Sequence, residues 1–302
     1  MENNGLVSII VNCFNSDRYL RQAIDSVISQ TYSNWELIFW DNQSTDHSAE
    51  IVHSYSDFRI RYFYADQHTS LGDGRNCALK EVRGRYVSFL DADDFYTVDR
   101  LQVVVDAFDT DIDFIYSNGK RFNQTTGLSS PFYKKIQKDG DMFEYWLGHY
   151  NVMIPSVVFR SSVLNEMKSH VDPRFSMVEE YDFFLRMVKG RTVKYIHNEL
   201  CTWRCHSESL TWKKSMDWSN EFFILRDKLK VLYDPNFDFS ELDKKIAIHS
   251  FVTHVSKGKI DRKLIVPYVT SDFRIFVLYY LSYLGPSKLE VIIGKYMTRG
   301  FR

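Results

Sequence analysis

Cysteine is scarce in this 302-residue chain, which has Cys13, Cys77, Cys201 and Cys205 and no others. Their spacing suggests no disulfide framework, and a chain of this length needs no such staples. A reduced, cytoplasmic compartment is the expectation. No apolar run approaches the roughly 20 residues that a membrane-spanning helix needs. Met1–Gly5 is polar and lacks the apolar stretch of a secretory signal, so none is expected. An excess of charge of either sign is missing too. With 38 basic and 39 acidic residues the formal net charge is −1, so no global field recruits nucleic acid. Repeats and low-complexity tracts are absent. Aromatics, by contrast, are plentiful, at 23 Phe, 19 Tyr and six Trp. They supply either an aromatic-rich core or a cleft that stacks rings against flat ligands.

Along the chain, apolar runs alternate with helical patterns. Leu6–Val11 is β-branched and uncharged, as a strand buried on both faces should be. Leu20, Ala23, Ile24, Val27 and Ile28 then recur at helical spacing. Trp35–Trp40, Ile60–Tyr64 and Tyr86–Leu90 read as further strands. Helices are expected to start near Ser44–His47, with Ser44, Thr45 or Asp46 as N-cap, and over Gly74–Val82. This cadence predicts an α/β fold with an open, mostly parallel sheet flanked by helices, Rossmann-like in character. Ligands bind such sheets beyond the carboxyl ends of the strands. The polar clusters Asn12–Asn15, Asp41–Ser44 and Asp91–Asp94 each follow directly on a strand, so they should converge on one rim.

Further on, Asp113–Ser117 and Val152–Phe159 look like strands, with a polar loop to about Gly140 between them. Phe143–Leu147 and Val178–Val188 look helical. Beyond about Lys213 the pattern is helical and richer in Lys. Two regions are expected: a catalytic one over 1–214, with halves of about 1–115 and 116–214, and a helical C-terminal extension over 215–302.

Asp91, Asp93 and Asp94 are three carboxylates within four residues at a strand end. They repel one another unless something positive lies among them. A hard divalent cation shared with substrate phosphates is the natural partner. The structural alternative is an acidic helix start, which Asp99-Arg100-Leu101 would open.

The run VSIIVNCFNSDRYLRQAIDSVISQTYSNWELIFWDNQSTD and the later LGDGRNCALKEVRGRYVSFLDADD resemble the inverting glycosyltransferase family 2, of GT-A fold. The likeness is dense over about 6–105 and thinner over 150–212. It implies an enzyme that moves a sugar from a nucleotide-diphosphate donor to a hydroxyl on a glycan or lipid-linked acceptor, as in bacterial polysaccharide, lipopolysaccharide or capsule synthesis, with Mn²⁺ or Mg²⁺ as cofactor. By the resemblance Asn12 and Phe14 line the nucleobase pocket, and Asp41 and Asn42 match the pair that reads the base. Asn42 stands where an acid is usual, which leaves the base open. Arg75 lies near the diphosphate. Asp91 is on the ribose and metal side, Ala92 lies within the donor-binding block, and Asp93 is the direct metal ligand. Glu180 is the expected catalytic base and would stay ionised, with Glu179 and Asp182 bracing the site. His206, in the run Trp203–Thr211, completes the metal shell or touches the diphosphate.

Cys201-x-x-x-Cys205-His206 has a superficial zinc spacing but only three ligands. A nucleotidyltransferase would want a glycine-rich phosphate loop after the first strand, and Asn12–Ser16 has none. A catalytically inactive nucleotide-binding scaffold of the same fold is the other alternative. Near the C-terminus Arg274–Leu284 is apolar and tyrosine-rich, with Lys288, Lys295, Arg299 and Arg302 following. It reads as a peripheral membrane element, a buried amphipathic helix or a homodimer contact.

Overall fold

The computed structural model describes residues 5–209, 218–233 and 237–299, with side chains as far as residue 293. Leu210 and Thr211, the expected boundary at 214/215 and Arg302 lie outside the described residues, as do the side chains of Lys295 and Arg299. The chain groups into two compact units, residues 1–143 with 151–206 and residues 144–150 with 207–302.

In the first unit β1 (Val7–Cys13), α1 (Asp17–Ile28), β2 (Trp35–Asp41), α2 (Ser48–His53), β3 (Ile60–Tyr64), α3 (Leu71–Leu79) and β4 (Tyr86–Phe89) alternate. Then come β5 (Phe95–Tyr96), α4 (Arg100–Ala107), β6 (Ile112–Asn123), β7 (Ser129–Pro131) and β8 (Val157–Arg160). The unit ends with α6 (Ser162–Glu166), α7 (Glu179–Val188) and β9 (Thr192–Cys205). The strands lie in the order β3-β2-β1-β4-β8-β6-β9-β5, with β7 paired to β6. β1 is flanked by β2 and β4 in parallel, and β6 runs parallel to β9. β8 inserts antiparallel to both β4 and β6.

Burial explains the first strands. Val7, Ile9 and Val11 pack with Leu20, Ala23, Ile24 and Val27 of α1 in one core, while Ile10 is buried on the opposite face. A strand covered on both sides has to be apolar throughout. Below β8 the aromatics form a second layer, in which Phe114 meets Phe184 edge-on at 5.5 Å and Phe159 meets Phe183 at 6.2 Å. Gly84 enters β4 so close to β1 that a Cβ there would stand 2.6 Å from the Leu6 carbonyl oxygen.

Two helix starts differ from expectation. α2 begins at Ser48, just after the expected Ser44–His47, with Asp46 Oδ1 accepting its first N–H at 3.0 Å while Ser44 is engaged by the loop after β1. α3 begins at Leu71 rather than Gly74, capped by Ser70, whose Oγ accepts the Asp73 N–H at 3.1 Å. The expected strand over Val152–Phe159 is a helical turn at Ile154–Ser156 followed by β8.

The second unit holds α5 (Phe143–His149, from Glu144 onward), α8 (Trp218–Leu232), α9 (Ser240–Ser256), α10 (Phe273–Leu281) and α11 (Pro286–Arg299). Phe251, Val255, Ile265, Ile275, Leu289 and Ile293 share its core. Asp272 starts α10 by accepting the Arg274 N–H at 2.8 Å. None of the helices among the described residues is long and apolar enough to cross a membrane.

Candidate active site

The loops after β1 and β2 are cross-tied. The Asn42 N–H donates to the Cys13 carbonyl at 2.8 Å, Asn15 N–H to Ser44 Oγ at 3.1 Å, and Thr45 N–H to Asn15 Oδ1 at 2.8 Å. The Asp17 N–H donates to Asp46 Oδ2 at 2.9 Å. Asn15 and Gln43, with φ of 51° and 68°, hold the left-handed backbone that these turns need. Asn enters that region more readily than most side chains do, whereas Gln43 is held there by its loop, its Nε2 donating to the Ala65 and Asp66 carbonyls.

This scaffold also positions the expected base-reading pair. Asp41 is wholly buried, and its carboxylate accepts the Ser44 N–H and the Tyr62 hydroxyl, both at 2.7 Å. Asn42 Nδ2 donates to the Thr69 carbonyl at 2.8 Å, and its Oδ1 accepts from Thr69 N–H and Oγ1. Both side chains hydrogen-bond within the protein. Phe14 stands out from them. Its ring is 48% exposed and lies 4.2 Å, centroid to centroid, from His68, whose Nδ1 is 2.9 Å from the Asn42 carbonyl. Asn12 packs against Gly74 of α3, and both atoms of its amide are buried without a hydrogen-bond partner.

The end of β4 carries the acids. Leu90 N–H donates to the Ile10 carbonyl, and the chain turns tightly where Asp94 N–H donates to the Asp91 carbonyl at 3.0 Å. The Ala92 methyl is buried in the core. Asp91 faces out, 41% exposed, and Asp93 Oδ2 lies 2.8 Å from His206 Nε2. Asp94 is buried under them and its Oδ1 accepts the Arg204 N–H at 2.8 Å. Burial, and then the charge of Asp93, push the Asp94 carboxyl far above the usual range. Burial likewise takes Asp91 up to about 6, although Arg75 opposes the shift.

Arg75 belongs neither to the surface nor to an open phosphate site. It is buried, with Nη2 donating to Asp91 Oδ1 at 3.2 Å and Nη1 to Glu179 Oε1 at 3.0 Å. Burial works against its charge, but the facing carboxylates of Asp91, Glu179 and Glu180 outweigh that and raise its pKa. One guanidinium therefore joins the end of β4 to the start of α7. Glu179 is enclosed by that contact and braces rather than faces the cleft. Asp182 pairs with Arg186 one turn on, at 2.7 Å. Glu180, between them, is only partly covered. Burial and the adjacent Glu179 push its carboxyl up to about 8, against the pull of Arg75.

Arg204 had no role assigned from the sequence. Its Nε donates to the Asp93 carbonyl at 2.8 Å, Nη2 to Gln22 Oε1 at 2.6 Å and Nη1 to Gln124, and its guanidinium lies 4.4 Å from the Tyr19 ring. It clamps the acidic turn from behind. The only hint in the sequence is its place two residues before His206. Cys201 and Cys205 are buried free thiols, and burial pushes Cys201 up to about 12, which suits no thiolate ligand.

Among the described residues no three His, Cys, Asp or Glu side chains form a ready-made metal cage. Asp93 and His206 are nevertheless adjacent donors beside a surplus of negative charge, and this fits a hard cation whose remaining positions are filled by water and phosphate oxygens.

Residues 8–166 match the model of glycosyl transferase family 2. The chain belongs to that family. Among its relatives is the Escherichia coli UDP-Glc:alpha-D-GlcNAc-diphosphoundecaprenol beta-1,3-glucosyltransferase WfaP, 30% identical over 73% of this chain and 86% of the relative. WfgD, an E. coli glucosyltransferase of the same description, is 28% identical over 76% and 86%. The fold is GT-A. It superposes on S. aureus TarS 1-349 in complex with UDP-GlcNAc with a TM-score of 0.63 at 15% identity, over 97% of this chain and 91% of that one. The mannosyltransferase PcManGT of Pyrobaculum calidifontis, in complex with GDP-Man and Mn²⁺, gives 0.56 at 12% identity over 92% and 79%. This family 2 chain is thus a glycosyltransferase with helices following its GT-A sheet.

Proposed function

We propose that this glycosyltransferase moves a sugar, with inversion, from a UDP-sugar to a hydroxyl on a lipid-linked or glycan acceptor in cell-envelope polysaccharide synthesis. The observation that carries the reading is the convergence of Asp91, Asp93 and His206 with the Arg75–Glu179–Glu180 chain at the carboxyl ends of β1 and β4. The relatives' names supply the donor and the acceptor class, since two of them use UDP-Glc on a diphosphoundecaprenol-linked GlcNAc.

Phe14 and His68 would stack on the base, and the buried Asn12 amide would satisfy its two free atoms on the nucleoside side. Asp91 would hold the ribose or the cation through the oxygen not given to Arg75. Asp93 and His206 would hold Mn²⁺ or Mg²⁺, which when bound offsets the charge that develops on the leaving diphosphate. Glu180 takes the proton from the attacking hydroxyl. A carboxyl held near 8 is a stronger base, once ionised, than an ordinary glutamate, and it sits close to the working pH. Arg75 and Glu179 fix the start of α7, so Glu180 meets the acceptor on a rigid helix rather than on a loop. The test is a screen of UDP-, GDP- and dTDP-sugars for metal-stimulated hydrolysis and for transfer to an undecaprenyl-diphosphate-linked sugar. Turnover with UDP-sugars supports the reading, and turnover with none of the three nucleotides defeats it.

A further inference from the structure

The second unit carries a surface that the chemistry above does not use. In α10 the exposed apolar residues are Phe273, Phe276, Val277 and Tyr280, at i, i+3, i+4 and i+7, beside the exposed Arg274, and Leu284 extends the same line. The opposite side is used: Ile275 is buried in the unit's core, with Leu278, Tyr279 and Leu281 packed partly against it. The helix is therefore apolar on both faces, but among the described residues only one is covered. Phe273 is 79% exposed. The exposed rings touch each other in file, Phe273 to Phe276 at 6.3 Å and Phe276 to Tyr280 at 4.6 Å. Beside Leu284 a shallow groove of about 400 Å³ continues the surface, lined by Ser287, Lys288, Val291 and Ile292. Contiguous apolar patches of this sort are rare on protein surfaces that face only water.

Charge says what covers it. The whole chain is nearly neutral, yet residues 257–302 hold nine basic and three acidic residues, a net of +6. Lys263 and Lys288, both exposed, flank the aromatic file in sequence. A second copy would set this patch against itself and bring two strongly positive segments together. An anionic surface complements them instead. Exposed tyrosines such as Tyr280 and Tyr283, apolar in the ring and polar at the hydroxyl, suit the boundary between headgroups and acyl chains.

We propose that the aromatic face of α10, with its basic flanks, is a docking surface for an anionic lipid bilayer, on which it lies without crossing. The apolar rings enter the boundary region and the lysines meet lipid phosphates. The proposal does not depend on the donor site.

The test is co-sedimentation of the full chain with equimolar phosphatidylglycerol/phosphatidylcholine vesicles and with phosphatidylcholine vesicles alone. Wild type should bind the anionic vesicles at least about tenfold more tightly, in a salt-sensitive way, as expected for several basic residues near the surface. Phe276→Ser with Tyr280→Ser should weaken binding about tenfold or more by removing the buried rings. Lys263→Glu with Lys288→Glu should weaken it similarly and abolish the preference for phosphatidylglycerol. All four positions are exposed, so circular dichroism and UDP binding should be unchanged. Absence of wild-type binding to anionic vesicles overturns the proposal. So does a Phe276/Tyr280 variant that binds as wild type does, or sedimentation equilibrium showing that this face instead holds a dimer that ignores vesicles.

Discussion

Replacing Arg75 by Met tests how the site is held together. The substitution keeps the volume and removes the charge between Asp91 and Glu179. Taking away one partner of a buried ion pair costs about 3–5 kcal/mol, because the other is left charged and enclosed. The Asp91 half is open to solvent and contributes little. The Glu179 half is enclosed, so the expected loss is about 3 kcal/mol, at the low end of that range. The sign with pH follows. An enclosed carboxylate stripped of its cation is harder to ionise in the folded chain than in the unfolded one. The deficit is therefore full at high pH and shrinks as the pH falls and protons are taken up. Urea unfolding at pH 8 and pH 5 should show a large deficit at the first and a small one at the second. Arg75→Met with Glu179→Gln should recover most of the loss at pH 8. Glu180 loses the cation that restrains it, so the acid limb of activity should move to higher pH. A single variant as stable as wild type at pH 8, or a double variant no better than the single one, would refute the reasoning.

In wild type, kcat/KM should fall as the pH drops through about 8, where Glu180 becomes protonated. An acid limb in the ordinary carboxylate range, near 4.3 for glutamate, would count against its role as base. Glu180→Gln should lower kcat by about 10²–10⁴-fold while UDP titration shows donor binding retained. Arg204→Met should weaken Mn²⁺-dependent UDP binding by about 10–100-fold, the usual effect of losing a group that orients metal ligands; unchanged affinity would remove Arg204 from the site. Gly84→Ala should destabilise the first unit by about 1–3 kcal/mol, seen in urea unfolding, because the new methyl meets the backbone of β1.

The parallel half of the sheet is legible in the sequence because its strands are largely apolar, with only a few polar residues such as Ser8, Glu36 and Ser88 among them. β6 and β9 are longer than their apolar segments, since Asn118–Asn123 and His197–Glu199 run on as polar strand. Periodicity alone cannot tell such a stretch from a loop. The start of α2 falls one residue past the expected span: Asp46 accepts its first N–H, while Ser44 accepts from the first loop and the Thr45 N–H donates to it. The site divides in the same way. The acids after β4 and His206 are visible as types at spacing, and the structure brings Asp93 and His206 together. Whether a polar residue faces the ligand or the scaffold depends on partners distant in sequence. Asp41 is spent on Tyr62 and Asn42 on Thr69, and Arg75 reaches Glu179 across 104 residues. Arg204 escaped notice because an arginine in a strand shows nothing of the carbonyl and amides it will clamp.

The central claim is that Asp93 and His206 hold a cation which grips a nucleotide's phosphates at the end of β4. Isothermal titration of UDP into wild type and Asp93→Ala, with and without Mn²⁺, tests it most directly. Tight binding by wild type only when Mn²⁺ is present, lost in Asp93→Ala, is the predicted result. Equal UDP affinity with and without the metal, or a variant that responds to Mn²⁺ as wild type does, would contradict it.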